Sequence, residues 1–195
     1  MTAEKPPDIA LTARTWWRAL QRTLSNGKPN PRADTGALAR LRHCATPLEA
    51  MTEPATLDLF HRLRRDNSLA RDNPRDLARV AVVAMVLAHV REDASGHKSA
   101  IQAVGHPEPK LSPLRFRRLL ACRDDDDSAC EDLAREMRRF VALAGQTVNV
   151  GDLARSLLHW TDRTRAQWAF QYYGAGFAAP ASSPDHEPAS EDSSS

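Results

Sequence analysis

The segments LRFRRLL (114–120), LAREMRRFVALAG (133–145) and VNVGDLARSLLHW (148–160) decide the fold. In the second, Leu133, Met137, Phe140, Val141 and Ala144 recur at the i, i+4, i+7, i+8 spacing of one helix face, while Arg135, Arg138 and Arg139 share the opposite face. In the first, Leu119 and Leu120 stack beyond Phe116, and Arg115 and Arg118 line up three residues apart on another flank. In the third, Asn149 suits a helix cap and Val150, Leu153, Leu157 and Trp160 form the stripe. One face of each helix is built to pack. The arginine faces are built to meet something anionic.

The same grammar recurs upstream. Ile9, Ala13, Trp16, Trp17, Leu20 and Leu24 predict a helix with two indoles on its apolar stripe, ending near Ser25-Asn26-Gly27. The indole pair reads as core, with base stacking as the alternative. After KPNP (28–31), Asp34 or Thr35 caps a short helix through Leu38, Leu41 and Ala45 that Pro47 breaks. Pro54 opens another, with Leu57, Phe60 and Leu63 in its stripe and a lone His61 that makes no ligand set. Asn73-Pro74-Arg75 is a helix start, because Asn accepts from an orphan amide and Pro fits the first turn. From Leu77 to about Val90 apolar residues occupy nearly every side, the pattern of a central helix surrounded by others. Residues 92–112, broken by Gly96, Gly105, Pro107 and Pro109, mark a boundary with one helical turn at Ser99 to Val104. Thr161 caps a last helix carrying Trp168 and Tyr172, and no run alternates as a strand would. The expected fold is all-α, about eight to nine helices in two packed bundles. Residues 1–95 form the first, residues 96–177 the second, and 178–195 a disordered acidic, Ser/Pro-rich tail.

The formal charge of +2 hides an asymmetry. Asp185, Glu187, Glu191 and Asp192 fall in the tail, so residues 1–177 hold 27 basic against 21 acidic side chains, or +6. Of the 27 basic residues 23 are Arg, whose guanidinium grips phosphate in a fork; a general Arg-over-Lys bias is the alternative. Cys44, Cys122 and Cys130 have no close-spaced partner, which argues against a disulfide framework and a zinc site. No signal-peptide pattern opens the chain, and the longest apolar run, Val80 to Ala88, is far shorter than the roughly 20 residues that span a bilayer. A soluble cytoplasmic protein without a membrane partner is expected. Phosphate-loop, dinucleotide, nucleophile-elbow and zinc-protease motifs are missing. Asp124 to Asp127 repel one another and read as a solvated loop that caps the next helix rather than a metal site. Together these lead to the expectation of no enzyme activity, no catalytic residues, no cofactor and no metal.

An early Trp-bearing helix, LARLRH (38–43), the NPR start (73–75), SPLRFRRLLACR (112–123), LAREMRRF (133–140), DLARSLLHW (152–160) and RAQW (165–168) follow in that order. This succession resembles the CasB small subunit of the type I-E CRISPR Cascade complex, over nearly the whole chain to about Tyr173. The resemblance implies an all-helical, non-catalytic subunit present as a head-to-tail pair. Its partners would be other Cascade subunits, the guide RNA complex and target or non-target DNA, and its basic residues would stabilise the R-loop in antiviral defence. Carried over by position, the basic path falls on Arg42, Arg75, Lys98, Arg115, Arg123, Arg138 and Arg139. Arg118 joins it by sharing the flank of Arg115. His43 stands where many members have a second arginine, and a neutral imidazole is the poorer phosphate partner.

The leading expectation is therefore a sequence-independent DNA-binding subunit, with base pairing elsewhere supplying specificity. The alternative is a helical adaptor whose arginines meet acidic protein surfaces without touching nucleic acid. A helix-turn-helix regulator would need a polar recognition helix after a tight turn, and none stands out.

Overall fold

The structure, a computed structural model, describes residues 8–23, 27–31, 33–69, 73–96, 99–105 and 109–174. Among them are nine α-helices: α1 (Ile9–Leu20), α2 (Thr35–His43), α3 (Pro47–Met51), α4 (Pro54–Arg65), α5 (Arg75–Leu87), α6 (Pro113–Ala121), α7 (Asp127–Leu143), α8 (Val150–Leu158) and α9 (Asp162–Tyr172). A 3₁₀ turn spans Ala100–Ala103, within the stretch where one turn was expected. The all-helical expectation holds. Capping sets most boundaries: Asp34, Asp126, Asn149 and Thr161 accept from the backbone amides of Ala37, Ala129, Asp152 and Thr164 at 2.7–3.3 Å. Each such cap stabilises its helix by about 1 kcal/mol. Asn73 accepts from the amide of Arg75 at 3.1 Å. Pro47 does more than end a helix: α2 stops at His43 and Pro47 opens α3. Helix α1 stops at Leu20, earlier than the expected Ser25 to Gly27, because Gln21 turns extended.

Helix α5 is the centre. Every residue from Val80 to Ala88 is buried, with α3, α4, α7 and α8 packed around it. The two indoles of α1 belong to this core, and each N–H finds a carbonyl, Trp16 that of Ala55 at 2.9 Å and Trp17 that of Leu87 at 3.1 Å. Buried indoles need such partners, which fixes α1 against both α4 and α5. On its other flank α1 meets α8 closely: a Cβ on Gly151 would lie 2.8 Å from the Cβ of Ala10. One buried cluster runs from Ile9 to Tyr172, and residues on both sides of position 95 contribute to it.

A short parallel pairing, unforeseen in the sequence, ties these elements together. Strand β1 (Glu92–Asp93) pairs with β2 (Thr147–Val148). Gly145 and Gln146, at φ 69° and 63°, end α7 in the left-handed region, and the Gln146 carbonyl accepts from the amides of Arg91 and Glu92 at 2.9 and 3.2 Å. Two-residue strands carry no alternation, so periodicity gives no sign of them. Asp93 then sits at a junction, its carboxylate 3.0 Å from Arg14 and 3.1 Å from Arg18 of α1 while accepting from the Val150 amide of α8 at 3.2 Å.

Candidate nucleic-acid interface

The arginines divide into two sets. The first holds helix ends together. Arg42 donates from Nε to the Ala88 carbonyl at 2.6 Å, at the C-terminal end of α5. Arg138 is half-buried and donates to the carbonyls of Ala134 and Cys44, both at 3.3 Å, the latter just past α2. Arg165 reaches the carbonyls of Leu120 and Cys122 at 3.1 and 3.5 Å, at the end of α6, and pairs with Asp162. Helix C-termini present unsatisfied carbonyls and partial negative charge, which guanidinium groups satisfy. Burial, and then the charge of Arg135, lowers the pKa of Arg138. The expectation that Arg138 shares an open face with Arg135 and Arg139 is corrected here. One residue of α7 spans about 100° of rotation, enough to turn Arg138 toward α2 and leave Arg139 in solvent.

The second set faces outward. Arg115 and Arg118 of α6 and Arg139 of α7 line one groove of about 490 Å³, floored by Leu111, Leu119 and Phe140. Arg115 and Arg118 make no side-chain hydrogen bond or ion pair among the described residues. Arg139 pairs with Glu136 yet keeps its side chain 64% exposed. Such an exposed pair is worth about 0.5 kcal/mol, so it yields readily to a stronger anion. The groove is thus a cationic rim over an apolar floor, with Glu136 as the single carboxylate lining it among the described residues. Leu119 and Phe140 read as stripe residues and Glu136 as a partner of Arg139 at helical spacing, but that they share one groove comes from two helices that only packing brings together.

Arg75 and Arg123 are exposed but stand beside carboxylates. Arg75 lines a depression of about 250 Å³ with Asp124 to Asp127. Arg123 borders Asp124, Asp125 and Asp162. The acidic run is itself put to use: Asp124 accepts from Arg79 Nε at 2.8 Å, and Asp126 caps α7. Lys98 lies outside the described residues. A further depression of about 480 Å³ between α8 and α9 carries Arg155, His159 and Arg163 beside Asp152. His43 is exposed, its Nδ1 2.7 Å from the Ala39 carbonyl.

The cysteines offer little nucleophilic chemistry. Burial pushes the thiols of Cys122 and Cys130 up to about 11 and raises that of Cys44, so they remain protonated at neutral pH. No group of three or more His, Cys, Asp or Glu suited to a metal ion occurs among the described residues. No helix among them is long and apolar enough to cross a membrane.

No curated protein matches the sequence significantly. The fold is similar to that of a chain in a crystal structure of E. coli Cascade bound to a PAM-containing dsDNA target, with a TM-score of 0.54 and 21% identity over 82% of this chain and 95% of that one. The family model of CRISPR-associated protein Cse2 matches residues 37–173. That span takes in most of α2, all of α3 through α9 and the groove of Arg115, Arg118 and Arg139, and with it the chain belongs to the Cse2 family.

Proposed function

We propose that this chain is the non-catalytic small subunit of a type I-E CRISPR RNA-guided complex, and that it holds nucleic-acid backbone in the groove between α6 and α7. In the assembled complex it works as a pair of copies beside other Cascade subunits and the guide RNA, stabilising the opened DNA strand of the R-loop. One observation carries the reading: Arg115, Arg118 and Arg139 converge on one open groove against a single carboxylate among the described residues. Phosphate contacts of this kind position a strand without reading its sequence. Arg42 and Arg138 hold helix ends and Arg75 and Arg123 stand among carboxylates, so the groove trio is assigned the first phosphate contacts. The protonated thiols support the non-catalytic part.

The test is the salt dependence of binding to single-stranded and duplex DNA of unrelated sequences, for the isolated subunit and the assembled complex. Each of Arg115→Ala, Arg118→Ala and Arg139→Ala is expected to weaken binding to all sequences alike and to reduce the salt slope by about one unit. Arg163→Ala, on α9 away from the groove, is the control. If the groove variants keep the wild-type salt slope yet fail to join the complex, their arginines serve protein recognition and the adaptor reading replaces this one.

A further inference from the structure

Helix α9 ends against α6, the helix that carries two of the groove arginines. The Tyr172 ring stacks on Phe116 of α6 at 3.9 Å between centroids, and Tyr173 meets Phe116 edge-on at 6.1 Å. The Tyr172 hydroxyl donates to the carbonyl of Leu111, a residue that also lines the groove. Gly174, the last residue described, therefore follows two tyrosines held against α6, the helix of Arg115 and Arg118. Residues 175–195 contain Asp185, Glu187, Glu191 and Asp192 and no Lys or Arg. A chain covers up to about 3.3 Å per residue, so the eleven positions from 174 to Asp185 reach up to roughly 35 Å, more than the length of the nine-residue α6. Among the described residues the groove offers three guanidiniums against one carboxylate, and the segment offers four carboxylates.

We propose that the acidic segment 178–195 docks its carboxylates on Arg115, Arg118 and Arg139 and competes there with nucleic acid, acting as a built-in anionic mimic that a longer polyanion displaces. The competition rests on the nucleic-acid reading of the groove; the docking does not. A segment tethered this close acts at an effective concentration of order mM, enough for weak charge pairing to hold it in place without contributing to the core. Four carboxylates cannot outcompete the many phosphates of a long strand, whose binding also releases counterions. The contact thus discriminates against short or adventitious anions and gives way to an extended backbone.

Two measurements on the purified chain test this separately. The first uses no nucleic acid: zero-length carbodiimide coupling of carboxylates to Lys110, which is exposed next to Leu111. Mass spectrometry is expected to find Lys110 joined to a tail carboxylate within one chain, with the product lost in 0.5 M salt (roughly a 4 Å screening length) and in the Arg115→Ala/Arg118→Ala/Arg139→Ala variant. No such product, or one formed only between differently isotope-labelled copies, overturns the docking. The second compares affinity for a fluorescent single-stranded oligonucleotide of scrambled sequence between the full chain, a chain ending at residue 177, and one carrying Asp185→Asn, Glu187→Gln, Glu191→Gln and Asp192→Asn. Both altered chains are expected to bind about three- to ten-fold tighter at low salt, with no gain in the triple-arginine background. An equal gain in that background reveals diffuse repulsion rather than groove competition and overturns the proposal. Coupling to Lys110 together with wild-type oligonucleotide affinity in the triple-arginine variant means that the nucleic-acid reading has failed while the docking stands.

Discussion

The guanidinium of Arg138 lies 3.3 Å from the carbonyl oxygen of Cys44, joining the middle of α7 to the end of α2 across 94 positions of sequence. Its neighbour Arg139 points into solvent and, among the described residues, pairs only with Glu136. Two adjacent arginines of one motif thus have different occupations, one holding the fold and the other available to a ligand.

That division predicts opposite stability effects. Arg138→Ala removes a charged donor from two buried carbonyls and leaves a half-filled slot, and is expected to destabilise by about 1.5–3 kcal/mol. Arg139→Ala is expected to stay within about 0.5 kcal/mol of wild type. Urea midpoints at constant slope measure both. Equal midpoints for the two variants would remove the structural assignment of Arg138.

His89, just past α5, is half-buried, and its Nε2 has no hydrogen-bond partner among the described residues. Burial first, then the charges of Arg138 and Arg42, lowers its pKa. A lowered folded pKa means that the unfolded chain binds the proton more readily. The contribution is therefore fully present above the unfolded value of about 6.5 and is lost as the pH falls below it toward the folded pKa. Stability is expected to drop between pH 7.5 and 5.5, and by less in His89→Gln. The difference between the two pH values is the readout, so any general cost of the substitution cancels. An identical drop in both proteins would put the acid sensitivity elsewhere.

The α1–α8 seam has no room for a methyl group. A Cβ on Gly151 would meet Ala10 Cβ at 2.8 Å and the Ala10 carbonyl at 3.0 Å. Gly151→Ala is expected to cost about 1–3 kcal/mol by overpacking. Ala10→Gly in the same chain removes the nearest of these clashes and should restore part of the loss, beyond what the sum of the single variants gives. Strict additivity in thermal unfolding would show that the helices shift instead.

Asp93 is nearly buried at its junction of α1, β1 and α8, with a side chain 6% exposed. Asp93→Ala is expected to cost about 2–3 kcal/mol, below the 3–5 of fully buried pairs because Arg18 is half exposed. Asp58→Ala, which breaks the exposed pair with Arg62 on α4, is expected to cost no more than about 0.5 kcal/mol. Denaturant titration compares the two. A cost for Asp93→Ala as small as that for Asp58→Ala would mean that the junction contributes no more than a surface pair.

Local chemistry determined most of the architecture. Apolar residues at helical spacing, the caps Asp34, Asp126, Asn149 and Thr161, and the saturated apolar run of α5 each act within a few residues, so the sequence alone predicts the helices and the central position of α5. The burial of Trp16 and Trp17 was legible for the same reason. Tertiary structure alone decided the pairing of β1 with β2, the junction at Asp93, and above all which arginines are occupied. Periodicity places Arg138 and Arg139 on the polar side of α7, but only the position of α2 turns one of them into a clamp on a carbonyl. Likewise only the packing of α6 against α7 gathers Arg115, Arg118 and Arg139 over a shared apolar floor. A helix fixes the direction of its side chains from within; what those side chains meet depends on neighbours far away in the chain, and hydrogen bonds and charge interactions die off too steeply with distance to be read before those neighbours are placed.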